Sequence, residues 1–196
     1  LLKETLFYSI SKAIPGLIGI ISVALFMRYL GAHEYGQYSF LLSQLNLIIA
    51  IGFGWLNQAQ LRYYSKDNSH DKYKITQIRS LSYSLIFCLA MFSIFFLFQQ
   101  FSNTMWIVSI ITIISISTFN YIKTLFQAKL LPRKIIFLTS IQAVMALIIP
   151  LLMMFFLGFT AINLLLGIGV SFLISTIIVI RDDIINFFIY IVKKPI

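Results

Sequence analysis

The sequence predicts an all-α membrane protein, a bundle of six transmembrane helices. Of its 196 residues, 60% are hydrophobic and only 11% are charged, whereas a soluble domain uses about 25% charged residues to cover its surface. The mean hydropathy of +0.94 also indicates a chain that lies in a bilayer. A spanning helix needs about 20 mostly apolar residues. Six segments qualify: 13–30, 38–61, 81–98, 105–122, 135–156 and 161–180.

The six elements follow one another through short polar gaps. The first, 13–30, could be mistaken for a secretion signal, but its apolar run is too long and no convincing cleavage site ends it. Only residues 157–160 separate the fifth element from the sixth, which predicts a tight helical hairpin. The predicted six-helix unit therefore occupies residues 1–181. The apolar run within residues 182–196 is too short to cross a bilayer, so this segment is predicted to be an interfacial helix or a linker.

The basic residues predict the orientation of the helices. The gaps at 31–37, 99–104 and 157–160 contain no Lys or Arg, and Arg28 is the one basic residue beside them. The remaining basic residues flank the helices on the opposite side: Lys3, Lys12, Arg62, Lys66, Lys72, Lys74, Arg79, Lys123, Lys129, Arg133, Lys134, Arg181, Lys193 and Lys194. Because basic residues stay in the cytoplasm, both ends of the segment are predicted to be cytoplasmic.

Several predicted helices carry a polar face. On a helical wheel, the second span places six small or polar residues within an arc of about 80°: Ser39, Ser43, Asn46, Ala50, Gly54 and Asn57. Gln58 and Arg62 lie on the adjoining arc. The first span has Lys12, Gly16 and Gly19 on one face, and the fourth has Ser109, Thr112, Asn120, Lys123 and Gln127.

Two interpretations of these faces stay open. In the first, they line a polar, cationic cavity that binds a substrate. Its candidate residues are Lys12, Asn46, Asn57, Gln58, Arg62, Asn120 and Lys123. In the second, the small and hydroxyl residues only allow the helices to pack closely, and the three cations reach the interface along their own stems.

Catalytic and metal-binding functions find no support in the sequence. All six acidic residues lie in polar segments, and His33 and His70 are far apart. Cys88 is the single cysteine and cannot form an internal disulfide. We therefore expect no enzyme activity, no metal and no cofactor. We expect no nucleic acid either, because the basic residues lie between apolar spans.

One stretch resembles a known family. Residues 28–39 read Arg-Tyr-Leu-Gly-Ala-His-Glu-Tyr-Gly-Gln-Tyr-Ser. The order Arg-x-Leu-Gly-x-x-x-Tyr-Gly resembles the start of the polysaccharide flippases, in the multidrug/oligosaccharidyl-lipid/polysaccharide exporter superfamily. Its residues here are Arg28, Gly31, Tyr35 and Gly36. The two glycines would allow a tight external turn, and Tyr35 and Tyr38 would serve as interfacial anchors.

The resemblance implies a larger transporter. Members of the family have 12–14 helices in two lobes of about six, around a cavity that opens alternately to either side. Their substrate is a polyprenyl-diphosphate-linked oligosaccharide, flipped to the outer leaflet for surface polysaccharide biosynthesis. This chain, which begins with Leu1 and stops after Ile196, would be the amino-terminal lobe of a longer protein, with residues 182–196 leading into the second lobe. Membrane lipids, a glycan polymerase and other export machinery would be its partners. Together with the distribution of basic residues, the resemblance implies a bacterial inner membrane as the location.

The resemblance also implies that cavity cations hold the diphosphate. The second span lacks a basic residue deep within it, so Lys12 becomes the main candidate. A multidrug or small-cation exporter of the same superfamily is an alternative, although such proteins usually need an intramembrane carboxylate. A non-transporting membrane assembly protein is another. A membrane-embedded polymerase or acyltransferase would require catalytic residues in the external loops, which are short and nearly uncharged here.

Overall fold

The computed structural model describes residues 2–64, 71–98 and 102–193, with side chains for 13, 15–64, 76–98 and 102–181. Within these ranges the chain is helical and contains no strand. It forms five helices: α1 (Leu2–Tyr63), α2 (Asp71–Leu97), α3 (Asn103–Ala128), α4 (Pro132–Leu157) and α5 (Ala161–Lys193). All five are long and apolar enough to cross a membrane. The described chain thus has the make-up of a multi-pass helical membrane protein.

Helix α1 is broken at Gly31. This residue has φ 77° and ψ 168°, a backbone conformation open essentially to glycine alone. In a straight helix Pro15 and Tyr38 would lie about 35 Å apart. Instead, both line one cavity of about 230 Å³, so the chain folds back at the break. We call the two arms α1a (residues 2–30) and α1b (residues 32–63).

The sequence predicts a non-helical gap at residues 31–37, which is longer than the turn in the structure. Residues 32–37 are helical, and Gly36 lies in regular helix with open space around the position of a Cβ. The expectation that Gly36 shapes the turn is therefore wrong, because a single positive-φ residue already reverses the chain. Helices α2 and α3 also extend past the apolar spans predicted for them, since charged residues continue a helix as well as apolar ones do.

Helices that are consecutive in the chain pack antiparallel, whereas α3 and α5 run parallel, since Thr112 lies against Leu165 and Phe119 against Phe172. Gly52 of α1b lies against Cys88 of α2, so closely that an added Cβ would overlap its sulfur. Helix α3 crosses α5 where Thr112 Oγ1 donates to the Leu165 carbonyl at 3.4 Å. Gly167 of α5 packs directly on the Pro150 backbone of α4. These contacts bring the break at Gly31 to the same end of the bundle as the loops that join α2 to α3 and α4 to α5.

The core runs along the middle of the bundle, and the outer surface is largely apolar. Leu45, Ile113, Met154 and Leu164 are fully buried within one cluster that joins four helices. Large side chains such as Ile20, Ile51, Phe87 and Phe155 are instead exposed. An exposed apolar surface of this extent suits contact with lipid tails. Helix α5 continues without a break through 182–193, where the sequence predicts an interfacial helix or a linker.

Candidate functional site

The polar face of α1b lies on the outer surface of the bundle. We call it the α1b stripe. It consists of Ser39, Ser43, Asn46, Ala50, Gly54 and Asn57, of which the middle residues are exposed and the others half-buried. The Ser43 hydroxyl donates to the Ser39 carbonyl of its own helix at 2.8 Å. No atom lies within 4 Å of an added Cβ at Gly54. Asn57 differs from the middle residues, because its Oδ1 is buried without a hydrogen-bond partner. Helix packing within this bundle therefore does not account for the exposed middle of the stripe.

The polar face of α3, in contrast, is partly buried inside the bundle. Ser109 and Thr112 are fully buried, and Thr112 bonds both to its own helix and to α5. Gly169 of α5 packs directly on Thr112. Helix packing therefore explains this part of the α3 face. Asn120 and Lys123 follow it and are half-buried.

Of the three candidate cations, Arg62 and Lys123 lie among the described side chains. Arg62 is exposed at the end of α1b, where its guanidinium carbon lies 5.7 Å from the centre of the Tyr63 ring. Gln58, one turn earlier, is exposed as well. The side chain of Lys12 lies outside the described residues. Gly16 and Gly19, predicted to share its face, are exposed with open space beside them.

Two residues that lie between the motif positions, Tyr29 and Glu34, connect two turns at the same end of the bundle. Glu34 Oε2 accepts a hydrogen bond from the Ala161 backbone N–H, the first of α5, at 2.7 Å. The Tyr29 ring stacks on Phe159 with centres 5.8 Å apart. The motif residue Arg28 is exposed at this end. The contacts with the α4–α5 hairpin thus come from variable positions of the motif, a role that the sequence did not indicate.

The two predicted tyrosine anchors pack inside the protein. Tyr38 is 6% exposed and belongs to the main core cluster. Tyr35 is half-buried against the same cluster, with its ring 5.7 Å from that of Tyr38. The interfacial position predicted for Tyr38 is wrong, because the fold-back at Gly31 turns this first part of α1b toward α4 and α5.

Gln60 is a buried polar residue that the sequence analysis passed over. It is 3% exposed, and neither atom of its amide has a hydrogen-bond partner. Its position one turn after the buried Leu56 could have identified it, since residues four apart share a helix face. The sequence analysis selected Gln58 instead, whose side chain points outward.

Charge is distributed unevenly between the two ends. Among the described side chains, Arg28 is the basic residue near the Gly31 break. Seven others lie toward the opposite end: Arg62, Arg79, Lys123, Lys129, Arg133, Lys134 and Arg181. The antiparallel packing brings the helix ends that carry them together.

Comparison with known proteins identifies no relative of this chain. No protein-family model matches the chain, and neither a curated protein nor a solved structure shows significant similarity to it. The likeness to polysaccharide flippases therefore rests on the motif at residues 28–36 and on the helical pattern around it.

Proposed function

We propose that the chain crosses the membrane six times and forms one lobe of a polysaccharide flippase. The apolar part of α1, Pro15–Tyr63, has 49 residues. As one straight helix it would measure about 74 Å, more than twice the roughly 30 Å of a bilayer's hydrocarbon core. The break at Gly31 divides this length into two arms, each suited to one crossing. Together with α2 to α5, the two arms give six spans.

The charge distribution supports a cytoplasmic position for both ends of the chain. Basic residues favour the cytoplasmic side of a membrane. Of the described basic side chains, seven lie toward one end of the bundle, and Arg28 lies at the other. An even number of spans then returns the chain to the side from which it started. The Gly31 break would face the outside.

The α1b stripe is the observation that carries the proposed function. Exposed polar residues at membrane depth are costly against lipid and usually face a bundle interior or a water-filled cavity. In this bundle the middle of the stripe, Ser43, Asn46 and Ala50, is exposed, and Asn46 lies near the middle of α1b. A cavity shared with a second lobe would give the stripe polar surroundings. The family resemblance implies the same arrangement.

Such a cavity could carry the head group of a lipid-linked oligosaccharide. Each sugar hydroxyl that enters hydrocarbon without a partner costs several kcal/mol, on the order of 4. The amides of Asn46 and Asn57 and the serine hydroxyls of the stripe would replace those hydrogen bonds. Lys12 and Arg62 would neutralise the diphosphate. Alternating access would move the head group while the polyprenyl tail stays in the bilayer.

Cysteine accessibility tests whether the stripe faces water. Cys88 is the only cysteine of the chain, so Cys88→Ala provides a background for single-cysteine variants. In the full-length protein in membranes, Asn46→Cys and Ala50→Cys should react with a water-soluble maleimide. The control variants Leu47→Cys and Ile51→Cys lie beside the stripe on the exposed apolar surface and should react at least several-fold more slowly. Equal and negligible reaction at all four positions would refute a hydrated stripe.

Glycan export tests the function itself. Deletion of the gene in its own organism should abolish a surface polysaccharide and cause its lipid-linked precursor to accumulate. Complementation with Asn46→Leu or Asn57→Leu should lower export on the order of fivefold for each lost hydrogen bond. Ser82→Ala is the matched control, because Ser82 is an exposed polar residue of α2 outside the stripe. Unchanged surface glycans in the deletion strain would overturn the proposal.

A further inference from the structure

A second cavity lies between α1b, α2 and α3, toward the end of the bundle that carries the basic residues. Its volume is about 180 Å³, room for on the order of six water molecules. Its lining combines aromatic, amide and hydroxyl side chains and includes Trp55, Gln60, Tyr63, Thr76, Ser80 and Tyr121. It lies apart from the α1b stripe, on another face of the same helix.

Gln60 indicates that this cavity has a polar occupant. Both its amide oxygen and its amide nitrogen are buried without a partner, although buried polar atoms in proteins are nearly always hydrogen-bonded. The last torsion of a Gln side chain is soft, so a small rotation turns the amide toward the cavity that Gln60 lines. An amide offers one acceptor and two donors. A ligand hydroxyl, which both donates and accepts, would satisfy it.

Further unpaired groups lie close to the same cavity. The hydroxyls of Ser84 and Ser117 are buried without partners. Ser84 follows the lining residue Ser80 by one helical turn, and Ser117 precedes Tyr121 by one turn, so each shares a face with a lining residue. Three helices thus carry unsatisfied polar groups at the cavity lining or one helical turn from it.

Two exposed arginines are sequence neighbours of lining residues, and the outer surface beside the cavity is apolar. The Arg62 guanidinium carbon lies 5.7 Å from the ring centre of the lining residue Tyr63, and Arg79 precedes the lining residue Ser80. Trp55 is 54% exposed at the mouth, and Ile51 and Ile78 extend the apolar surface on either side of it. A ligand that fits these features has hydroxyls, a negative charge and an apolar tail.

We propose that this cavity binds the head group of an anionic, glycerol-bearing phospholipid, of which phosphatidylglycerol is the simplest. Its glycerol hydroxyls bond to the amide of Gln60, and its phosphate lies between Arg62 and Arg79. Its acyl chains run along Ile51 and the exposed part of Trp55. Basic pockets between membrane helices on the cytoplasmic side bind anionic lipid head groups in this way. The inference rests on this cavity and does not require the transport proposal. Arg62 is the one residue that both proposals use, whereas Gln60 and Arg79 belong to this cavity alone.

Tryptophan quenching by brominated lipids tests the site. The chain has two tryptophans, and Trp106→Phe leaves Trp55, at the mouth of the cavity, as the reporter. The full-length protein, with every other tryptophan replaced by Phe, is reconstituted in phosphatidylcholine nanodiscs. A fixed mole fraction of the lipid is then replaced by brominated phosphatidylglycerol, phosphatidylserine or phosphatidylcholine. Half-maximal quenching should need on the order of fivefold less phosphatidylglycerol than phosphatidylcholine for each arginine engaged.

Two variants and one control separate the parts of the site. Arg62→Gln should weaken quenching by both anionic lipids. Gln60→Met should remove the preference for phosphatidylglycerol over phosphatidylserine and leave the protein folded, because it removes an unsatisfied polar group. Gln58→Met, an exposed amide on the same helix, should change neither preference. Equal quenching by all three lipids in the parent protein, or equal losses in the Gln58 and Gln60 variants, would overturn the proposal.

Discussion

Glu34 provides the sharpest test of the fold, because one carboxylate joins two turns that are far apart in the sequence. Its Oε2 accepts the Ala161 N–H at 2.7 Å across 127 residues of chain. The first N–H groups of a helix have no partner within the helix. Thr160 Oγ1 accepts the Asn163 N–H at 3.4 Å, so Glu34 and Thr160 together satisfy two of these donors. Loss of Glu34 should therefore loosen the start of α5.

The expected magnitude follows from the two components of this contact. A capping hydrogen bond contributes about 1 kcal/mol, and a negative charge at a helix N-terminus adds about 0.3–1 kcal/mol. Glu34→Ala removes both components and should cost about 1.5–2 kcal/mol. Glu34→Gln keeps an acceptor oxygen and loses the charge, so it should cost about half as much. In terms of local opening, the alanine variant corresponds to an increase on the order of ten- to thirtyfold.

Hydrogen–deuterium exchange measures this opening directly. The peptide that covers residues 158–165 contains the Ala161 amide, and its exchange in nanodiscs should accelerate in the order wild type, Glu34→Gln, Glu34→Ala. His33→Ala is the matched control, because His33 is exposed and its ring nitrogen lies 3.4 Å from the side-chain nitrogen of Gln37 on its own helix. Unchanged exchange in Glu34→Ala, or the same acceleration in His33→Ala, would show that the carboxylate does not hold the two turns together.

Two further predictions concern glycines and use thermal or denaturant unfolding in mixed micelles as the measurement. Gly31→Ala should lower the free energy of unfolding by about 1–3 kcal/mol, because φ 77° with ψ 168° excludes a Cβ. Gly36→Ala should be neutral or stabilise by up to about 1 kcal/mol, since Gly36 is helical and has open space around the position of its Cβ. A larger loss of stability in Gly36→Ala than in Gly31→Ala would contradict a break at Gly31. Gly167→Ala should destabilise by about 1–3 kcal/mol because its Cβ would overlap Pro150. Gly54→Ala should leave the free energy of unfolding unchanged, because there is open space around the position of its Cβ. Equal losses of stability in the Gly167 and Gly54 variants would contradict the α4–α5 packing.

The helices could be predicted from the sequence because a bilayer imposes a simple requirement. A segment must be apolar and long enough to satisfy its backbone within the hydrocarbon core, and those properties are local. The break at Gly31 was predictable for the same reason, since glycine is the residue that tolerates positive φ. Local rules gave Gly36 the same role, although the structure needs only one such residue. The ends of α2 and α3 were missed because charged residues beyond an apolar span still form helix.

Contacts between distant parts of the chain could not be predicted in this way. Periodicity shows which residues share a helix face but not what that face meets. The stripe residue Ser43 and the α3 residue Thr112 looked alike in the sequence, yet the first is exposed and the second is fully buried. The bond from Ala161 to Glu34 has no local signal at all, because it depends on the position of the whole α4–α5 hairpin. The same holds for Gln60, whose burial depends on α2 and α3.

The structure does suggest a better criterion for polar faces in membrane helices. A serine or threonine hydroxyl can donate to the carbonyl four residues earlier in its own helix, as Ser43 and Thr118 do. Such a residue is satisfied against lipid, protein or water, so its presence says little about its surroundings. The longer amide side chains have a donor and an acceptor that a regular helix leaves unpaired. Amide positions such as Asn46, Asn57 and Gln60 therefore carry most of the information about where this bundle meets water, a ligand or a second lobe.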